Sequence, residues 1–306
     1  MTTPIRWTKQ QVDDDAATAT AVFREQRFAE PLEAWQTEVD LRIKDFQRLF
    51  DEYHVAKPDE LKTHDITRII DAGLLDALRY LPGPPISMDD LENLSDVRNI
   101  GPVRLRDDLD AAQRILETIQ KTIDPRRFPW IVENRDPTSG ERSVTIFASA
   151  LLQAAQRLQT ARRNDAKKEQ EQAVRCHLVK HGFAPIRLAR IATYADFPSR
   201  GVCSANEVIF GAKKADVLVR LWDDRMLPIE CKVSNSEVNS FKRLNHETLS
   251  KHTSWTGSFG SANVVPCAIL AGVFSSANVL AAQEHGLAIF WSHRIEDLGT
   301  FVESTR

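Results

Sequence analysis

The sequence predicts an α/β protein in which a mixed sheet flanked by helices is preceded by an all-helical N-terminal region. Three observations carry this expectation. Apolar residues recur at three- and four-residue spacing from about Asp14 to Ile123. Glycine is scarce, 12 of 306 residues, about 4% against a usual ~7%, which disfavours a glycine-rich barrel or nucleotide-loop architecture. The second half then alternates short apolar runs with helical segments, in the order helix, strand, strand, helix, strand, helix, strand.

The N-terminal elements follow from spacing and breakers. Leu32, Trp35, Val39, Ile43, Phe46 and Phe50 mark one buried helix face, with charged residues in the gaps. Leu81-Pro82-Gly83-Pro84-Pro85 ends a helix, and Ser87 caps the next with Asp90 three residues on. A helix from Asp107 to Thr122 stops at Asp124-Pro125, and Pro129 and Pro137 keep the chain irregular as far as Gly140. A helix from about Ser143 through Thr160 completes this region, expected to span residues 1–160.

Residues 161–306 form the expected sheet domain. A helix from about Asp165 to His181 is closed by Gly182. Ala215 to Leu221 and Arg225 to Val233 read as strands joined through Asp223-Asp224-Arg225, a tight hairpin. A helix from Ser236 to His252 follows. The continuous apolar run Ala268 to Phe274 fits a strand buried on both faces. A helix from Ala277 to His285, closed by Gly286, leads to a last strand, Leu287 to Trp291.

Composition narrows the function classes. Hydrophobic residues at 42% and charged residues at 27% exclude wholesale disorder. The formal charge is −3, but residues 1–150 carry 20 Lys and Arg against 28 Asp and Glu, and residues 151–306 carry 20 against 15. A basic half fits a nucleic-acid surface and equally fits scattered surface charge. Cys176, Cys203, Cys231 and Cys267 lack Cys-x-x-Cys spacing, so they read as free thiols in a reducing compartment. Met1 to Asp15 lacks the apolar stretch of a signal peptide, and the longest apolar run, Val264 to Phe274, is too short for a bilayer. The expectation is a soluble cytoplasmic protein without membrane partners.

The hairpin holds the chemistry. Asp216 stands at the start of the first strand, and Ile229-Glu230-Cys231-Lys232 lies on the second. Residues two apart share a face, so Glu230 and Lys232 point one way while Ile229, Cys231 and Val233 point into the core. Two carboxylates at short range repel, and a divalent cation with oxygen ligands removes that cost. A neighbouring lysine can then hold or deprotonate a water, or steady charge on a phosphate. Glu-x-Lys on a strand is also the pattern of an exposed salt-bridged face, so spacing alone leaves both readings open.

The arrangement Asp216…Glu230-Cys231-Lys232 resembles the PD-(D/E)XK nuclease motif. A longer set of residues resembles the XamI-type family of type II restriction endonucleases within that superfamily. It comprises Lys214-Ala215-Asp216, Arg225, Ile229 through Ser236 and Asn239 through Asn245. It also takes in Pro84-Pro85-Ile86-Ser87, Asp124 through Trp130, Thr160 through Asn164, Gln170-Glu171, Leu270 through Phe274 and Ile289 through His293. The similarity covers most of the chain from about residue 80. It implies a restriction-endonuclease-like core, cleavage of double-stranded DNA at a short palindrome, GTCGAC among the family's sites, and Mg²⁺ as cofactor. Carried over by position, Asp216 and Glu230 would be metal ligands and Lys232 would position or activate the attacking water. A glutamate from the preceding helix often joins such sites; Glu171 fits that place and Glu207 competes for it.

The basic residues are candidate DNA contacts: Arg162 and Arg163 with Lys167 and Lys168, Lys213 and Lys214 before the hairpin, and Lys242 and Arg243 with Asn245, His246 and Lys251 after it. Val97 through Val103 faintly resembles the turn of a helix-hairpin-helix, whose backbone N–H groups bind phosphate. His177 and His181 stand four apart on one helix, but the sequence shows no third ligand beside them, and they read as surface or cap residues. With no nucleotide loop, an ATP-dependent enzyme is disfavoured. A palindromic target implies a homodimer. The rivals are a structure-specific repair or junction nuclease on the same core and a DNA-binding protein without catalysis.

Overall fold

A computed structural model describes the chain except Met1, Glu30, Pro31, Lys242, Arg243 and residues 245–247, and it leaves aside the side chains of Asp59, Arg163, Asn239 and Phe241. The chain divides into two compact units, Met1–Glu30 with Arg162–Arg306, and Pro31–Ala161.

Among the described residues the first unit has eight strands. They are β1 (Ala184–Ile186), β2 (Val202–Ser204), β3 (Val208–Phe210), β4 (Lys213–Ala215), β5 (Val217–Arg220), β6 (Met226–Ser234), β7 (Cys267–Gly272) and β8 (Ala288–Trp291). Six form a mixed sheet in the order β1-β2-β5-β6-β7-β8, and β3 and β4 pair separately. β5 runs antiparallel to β2 and β6, whereas β6, β7 and β8 are parallel. The expected mixed sheet flanked by helices is therefore present.

Alternation along the strands sorts the core into two faces. Val217, Val219, Ile229, Cys231, Cys267 and Ile269 pack with Val174 and Leu178 of the helix Ser139–Lys180 and with Leu298, Phe301 and Val302 of the last helix, Glu296–Glu303. Ala268, Leu270, Ile289 and Trp291 pack on the other face with Val279 and Ala282, and with Trp7, Val12, Ala16 and Ala19 at the N-terminus. Gly272 lies at φ +88°, where a Cβ would fall 2.1 Å from the Ser234 carbonyl oxygen, so only glycine lets β7 close onto β6 there.

The N-terminal packing divides the region 1–160 that the sequence reading kept whole. Helix Lys9–Phe28 belongs to the sheet unit. Trp7 Nε1 donates to the Ile289 carbonyl at 2.7 Å, and buried Asp15 takes His293 Nε2 and Arg294 Nη1, each at 3.1 Å. Helical periodicity identifies a buried stripe but not the surface that covers it.

The second unit is helical, with Phe46, Phe50, Ile66, Leu78, Ile115, Phe128 and Trp130 in its core. Ser87 caps helix Met88–Ser95 by accepting from Asp90 N–H, as expected. Of the stripe opening at Leu32, the C-terminal part is buried, while Leu32 itself is exposed. In the segment that resembles a helix-hairpin-helix turn, the N–H groups of Asn99 and Ile100 donate to Glu92 Oε1 and so are not offered to a phosphate.

Other differences are local. The two helices expected around Arg162 are one, Ser139–Lys180, since neither Pro nor Gly interrupts residues 141–181. The strand expected over Ala215–Leu221 is broken at Asp216, and the helix expected over Ser236–His252 appears as Glu237–Phe241 and Leu249–Phe259. β1, β2 and β3 and helix Glu296–Glu303 were not anticipated; three-residue strands are too short to show periodicity. Among the described residues no helix is long and apolar enough to cross a membrane.

Trp7→Ala should destabilise the sheet unit by about 3 kcal/mol, the usual cost of emptying a buried aromatic site. Denaturant unfolding followed by tryptophan fluorescence and circular dichroism checks this, and an unchanged midpoint would show that the N-terminal segment does not support the sheet.

Candidate active site

The site forms where β5 begins and β6 continues. The last paired residues are Val217 and Ile229, and Asp216 N–H still donates to the Ile229 carbonyl at 3.0 Å. Beyond that point Cys231 N–H has no ladder partner in β5. It donates instead to Asp216 Oδ2 at 2.8 Å, so the carboxylate extends the ladder and is fixed by it. Asp216 is 3% exposed and Glu230 fully buried.

Lysines surround both carboxylates. Asp216 Oδ1 lies 2.9 Å from Lys167 Nζ, which also reaches Glu171 Oε1 at 3.5 Å. Glu230 Oε1 accepts from Lys251 Nζ at 2.6 Å, and its Oε2 is 3.0 Å from Lys232 Nζ. Burial, and then the negative charge of Asp216, push the Glu230 carboxyl above its ordinary range, while Lys232 and Lys251 pull against them. For Lys167, burial alone would lower the ammonium pKa, but Asp216, Glu171 and Glu230 outweigh it and hold the group well above the usual lysine value.

Arg175 ties the helix to the strands. Its guanidinium donates to the Asp216 carbonyl at 2.7 Å, the Ser204 carbonyl at 3.2 Å and Glu171 Oε2 at 3.2 Å. Lys167, Glu171 and Arg175 stand at four-residue intervals, so one helix face delivers all three. Gln170, beside them, is anchored by donating to the Ile269 carbonyl at 2.9 Å and Ser292 Oγ at 2.8 Å.

The expected residues sort plainly against this geometry. Asp216, Glu230, Lys232 and Glu171 come together. Glu207 does not; it is exposed and pairs with Lys214 at 2.7 Å. Lys213 and Lys214 are exposed on β4, and Arg162 is half-buried on the long helix. Lys242, Arg243 and Asn245 lie outside the described residues, as does the Arg163 side chain. Lys167 was grouped with possible phosphate contacts, yet it sits among the carboxylates. Lys251 was grouped the same way and holds Glu230. Arg175 was missed, although its i, i+4 spacing from Glu171 was readable.

Comparison with known proteins places the chain in a family. Residues 59–291 match the family model described as XamI restriction endonuclease. The type II restriction enzyme XamI of Xanthomonas campestris pv. amaranthicola is 41% identical over 263 residues, covering 86% of this chain and 95% of that protein. The chain belongs to the XamI restriction endonuclease family. It is thus a type II restriction endonuclease, a site-specific deoxyribonuclease acting on DNA. No solved structure matches the chain.

Enzymes of this class work with a divalent metal, and the residues present suit one. Asp216, Glu230 and Glu171 offer only oxygen donors, the set a hard cation takes. Glu230 Oε2 is buried, with the Lys232 ammonium 3.0 Å away as its ion-pair partner, so a cation at this oxygen would share it with Lys232. Lys167 supplies positive charge at Asp216 Oδ1, where an ion would otherwise supply it.

That substitution is testable. Lys167→Met removes the competing ammonium, so Mn²⁺ should bind the variant more tightly than the wild type, by about tenfold if one partly exposed ion pair is at stake. Mn²⁺ titration by electron paramagnetic resonance measures it; equal or weaker affinity would show that Lys167 does not compete for the site.

Proposed function

We propose that this endonuclease cuts both strands of DNA at GTCGAC by Mg²⁺-dependent phosphodiester hydrolysis, acting in the cytoplasm as a homodimer. Asp216 and Glu230 are the metal ligands, Lys232 is the lysine of the reaction, and Glu171 completes the site. What supports this reading above all is the meeting of buried Asp216 and Glu230, with Lys232 two residues on, where β6 outruns β5.

The residues divide the work. Cys231 N–H locks Asp216 in orientation, so the carboxylate needs no rearrangement to bind. Mg²⁺, when bound, supplies positive charge that stabilises the charge developing on the phosphate. Lys232 shares the Glu230 face, where its ammonium orients the attacking water and counters phosphate charge. Arg175 holds Glu171 and the Asp216 backbone in place, while Lys167 occupies Asp216 Oδ1 until an ion displaces it. Arg162, Arg163, Lys213, Lys214, Lys242, Arg243 and Asn245 are the proposed DNA contacts. The target sequence rests on the family resemblance, and the dimer rests on the two-fold symmetry of a palindrome.

Asp216→Ala and Glu230→Ala should abolish plasmid cleavage in Mg²⁺ while still shifting target DNA in Ca²⁺. Lys232→Ala should slow single-turnover cleavage by about 10²–10⁴-fold. Discrete fragments whose sequenced ends fall within GTCGAC support the reading. Ends at another fixed sequence would overturn the target alone, and near-normal cutting by the Asp216 or Glu230 variant would overturn the site.

A further inference from the structure

Two histidines of the long helix meet the last helix in an arrangement separate from the nuclease carboxylates. His177 is 4% exposed, and its Nε2 is buried without a hydrogen-bond partner. His181, one turn later, places its ring 4.5 Å from that of His177. Both Nε2 atoms face the bare Cα of Gly299: a Cβ there would lie 2.4 Å from His181 Nε2 and 2.7 Å from His177 Nε2. Any side chain at 299 would fill the space on which the two imidazoles converge.

The same helix brings carboxylates to that space. Glu296 has Oε1 3.8 Å from His177 Nδ1 and Oε2 3.8 Å from His181 Nε2. His177, His181 and Glu296 each offer a ligand atom within 4.8 Å of the others. Glu303 lies 2.7 Å from His181 Nδ1. A carboxylate that accepts a hydrogen bond from Nδ1–H keeps the ring proton on Nδ1, so the Nε2 lone pair is left for a ligand, the usual outer support of a metal-binding histidine.

We propose that His177, His181 and Glu296 form a second metal site, for a divalent transition ion of the zinc class, with Glu303 as the outer-shell partner of His181. Two imidazoles and one carboxylate suit Zn²⁺ or Co²⁺ and not Mg²⁺, which takes oxygen ligands. Bonds of about 2.0–2.2 Å place tetrahedral donors about 3.3 Å apart, so side-chain adjustments of less than about 1.5 Å close the site. The buried, unpartnered Nε2 of His177 gains the partner it lacks. His177 is six residues beyond Glu171, about 9 Å along the helix, so the ion fastens the helix bearing Glu171 to helix Glu296–Glu303 and takes no part in the hydrolysis.

The test uses untagged, full-length, metal-stripped protein carrying Cys176→Ser, to remove an exposed neighbouring thiol, with excess Mg²⁺ to occupy oxygen-ligand sites. Titration with Co²⁺ should give the visible absorption of a tetrahedral nitrogen–oxygen site, saturating at one equivalent, and Zn²⁺ should displace it and raise the thermal midpoint. The double variant His177→Gln/His181→Gln should lose both effects. Glu303→Gln should weaken Zn²⁺ binding by about 10–100-fold. Glu296 is exposed, so Glu296→Gln keeps the fold, and it should alter the cobalt spectrum and weaken binding. Mg²⁺-dependent cleavage should be unchanged in Glu296→Gln. Absence of a cobalt band, or a band and thermal shift that survive in the double histidine variant or are indifferent to Glu296→Gln, would overturn the site.

Discussion

The hydrogen bond from Cys231 N–H to Asp216 Oδ2 is the contact on which the rest of the candidate active site depends. β5 begins only at Val217, opposite Ile229, while β6 runs on to Ser234, paired on its other side with β7. A strand that loses one neighbour exposes backbone donors, and a buried unpaired N–H is costly. Asp216 satisfies the first of them. In doing so it leaves Oδ1 turned toward Lys167 and holds one carboxylate in register with Glu230 on the neighbouring strand.

Bringing two carboxylates out of water requires compensating charge, because an isolated buried anion is far more costly than any single packing contact is favourable. Lys167, Lys232 and Lys251 provide it from the long helix, β6 and helix Leu249–Phe259. These three elements are otherwise distant in sequence. The site therefore links the helices to the sheet electrostatically as well as through the apolar packing of Val174 and Leu178. The raised pKa of Glu230 records the same balance: burial and Asp216 outweigh the two ammonium groups.

Much of this was legible in the sequence, for identifiable reasons. β6, β7 and β8 are apolar runs of four or more residues bounded by turn or helix signals, and they emerge close to where periodicity puts them. Glu230 and Lys232 share a face by their two-residue spacing and the hairpin brings Asp216 beside them, but the spacing also fits an exposed salt-bridged face, and it was the family resemblance that singled the three out. Lys167, Arg175 and Lys251 did not stand out, since a surface cation and a site cation look alike until the fold shows what faces them. The placement of helix Lys9–Phe28 was hidden for a similar reason: Trp7 and Val12 mark an apolar face, but their partners Ile289 and Leu270 lie more than 250 residues away. His177 read as a surface residue because its neighbours Glu296 and Gly299 are supplied by a distant helix.

We propose that the late start of β5 turns Asp216 and Glu230 into one ion-binding site. Anomalous diffraction from crystals soaked in Mn²⁺ tests it most directly. The account predicts a peak within bonding distance of both Asp216 and Glu230, with Lys167 displaced from Asp216 Oδ1. A peak elsewhere, or a Lys167–Asp216 pair that persists beside bound Mn²⁺, would contradict it.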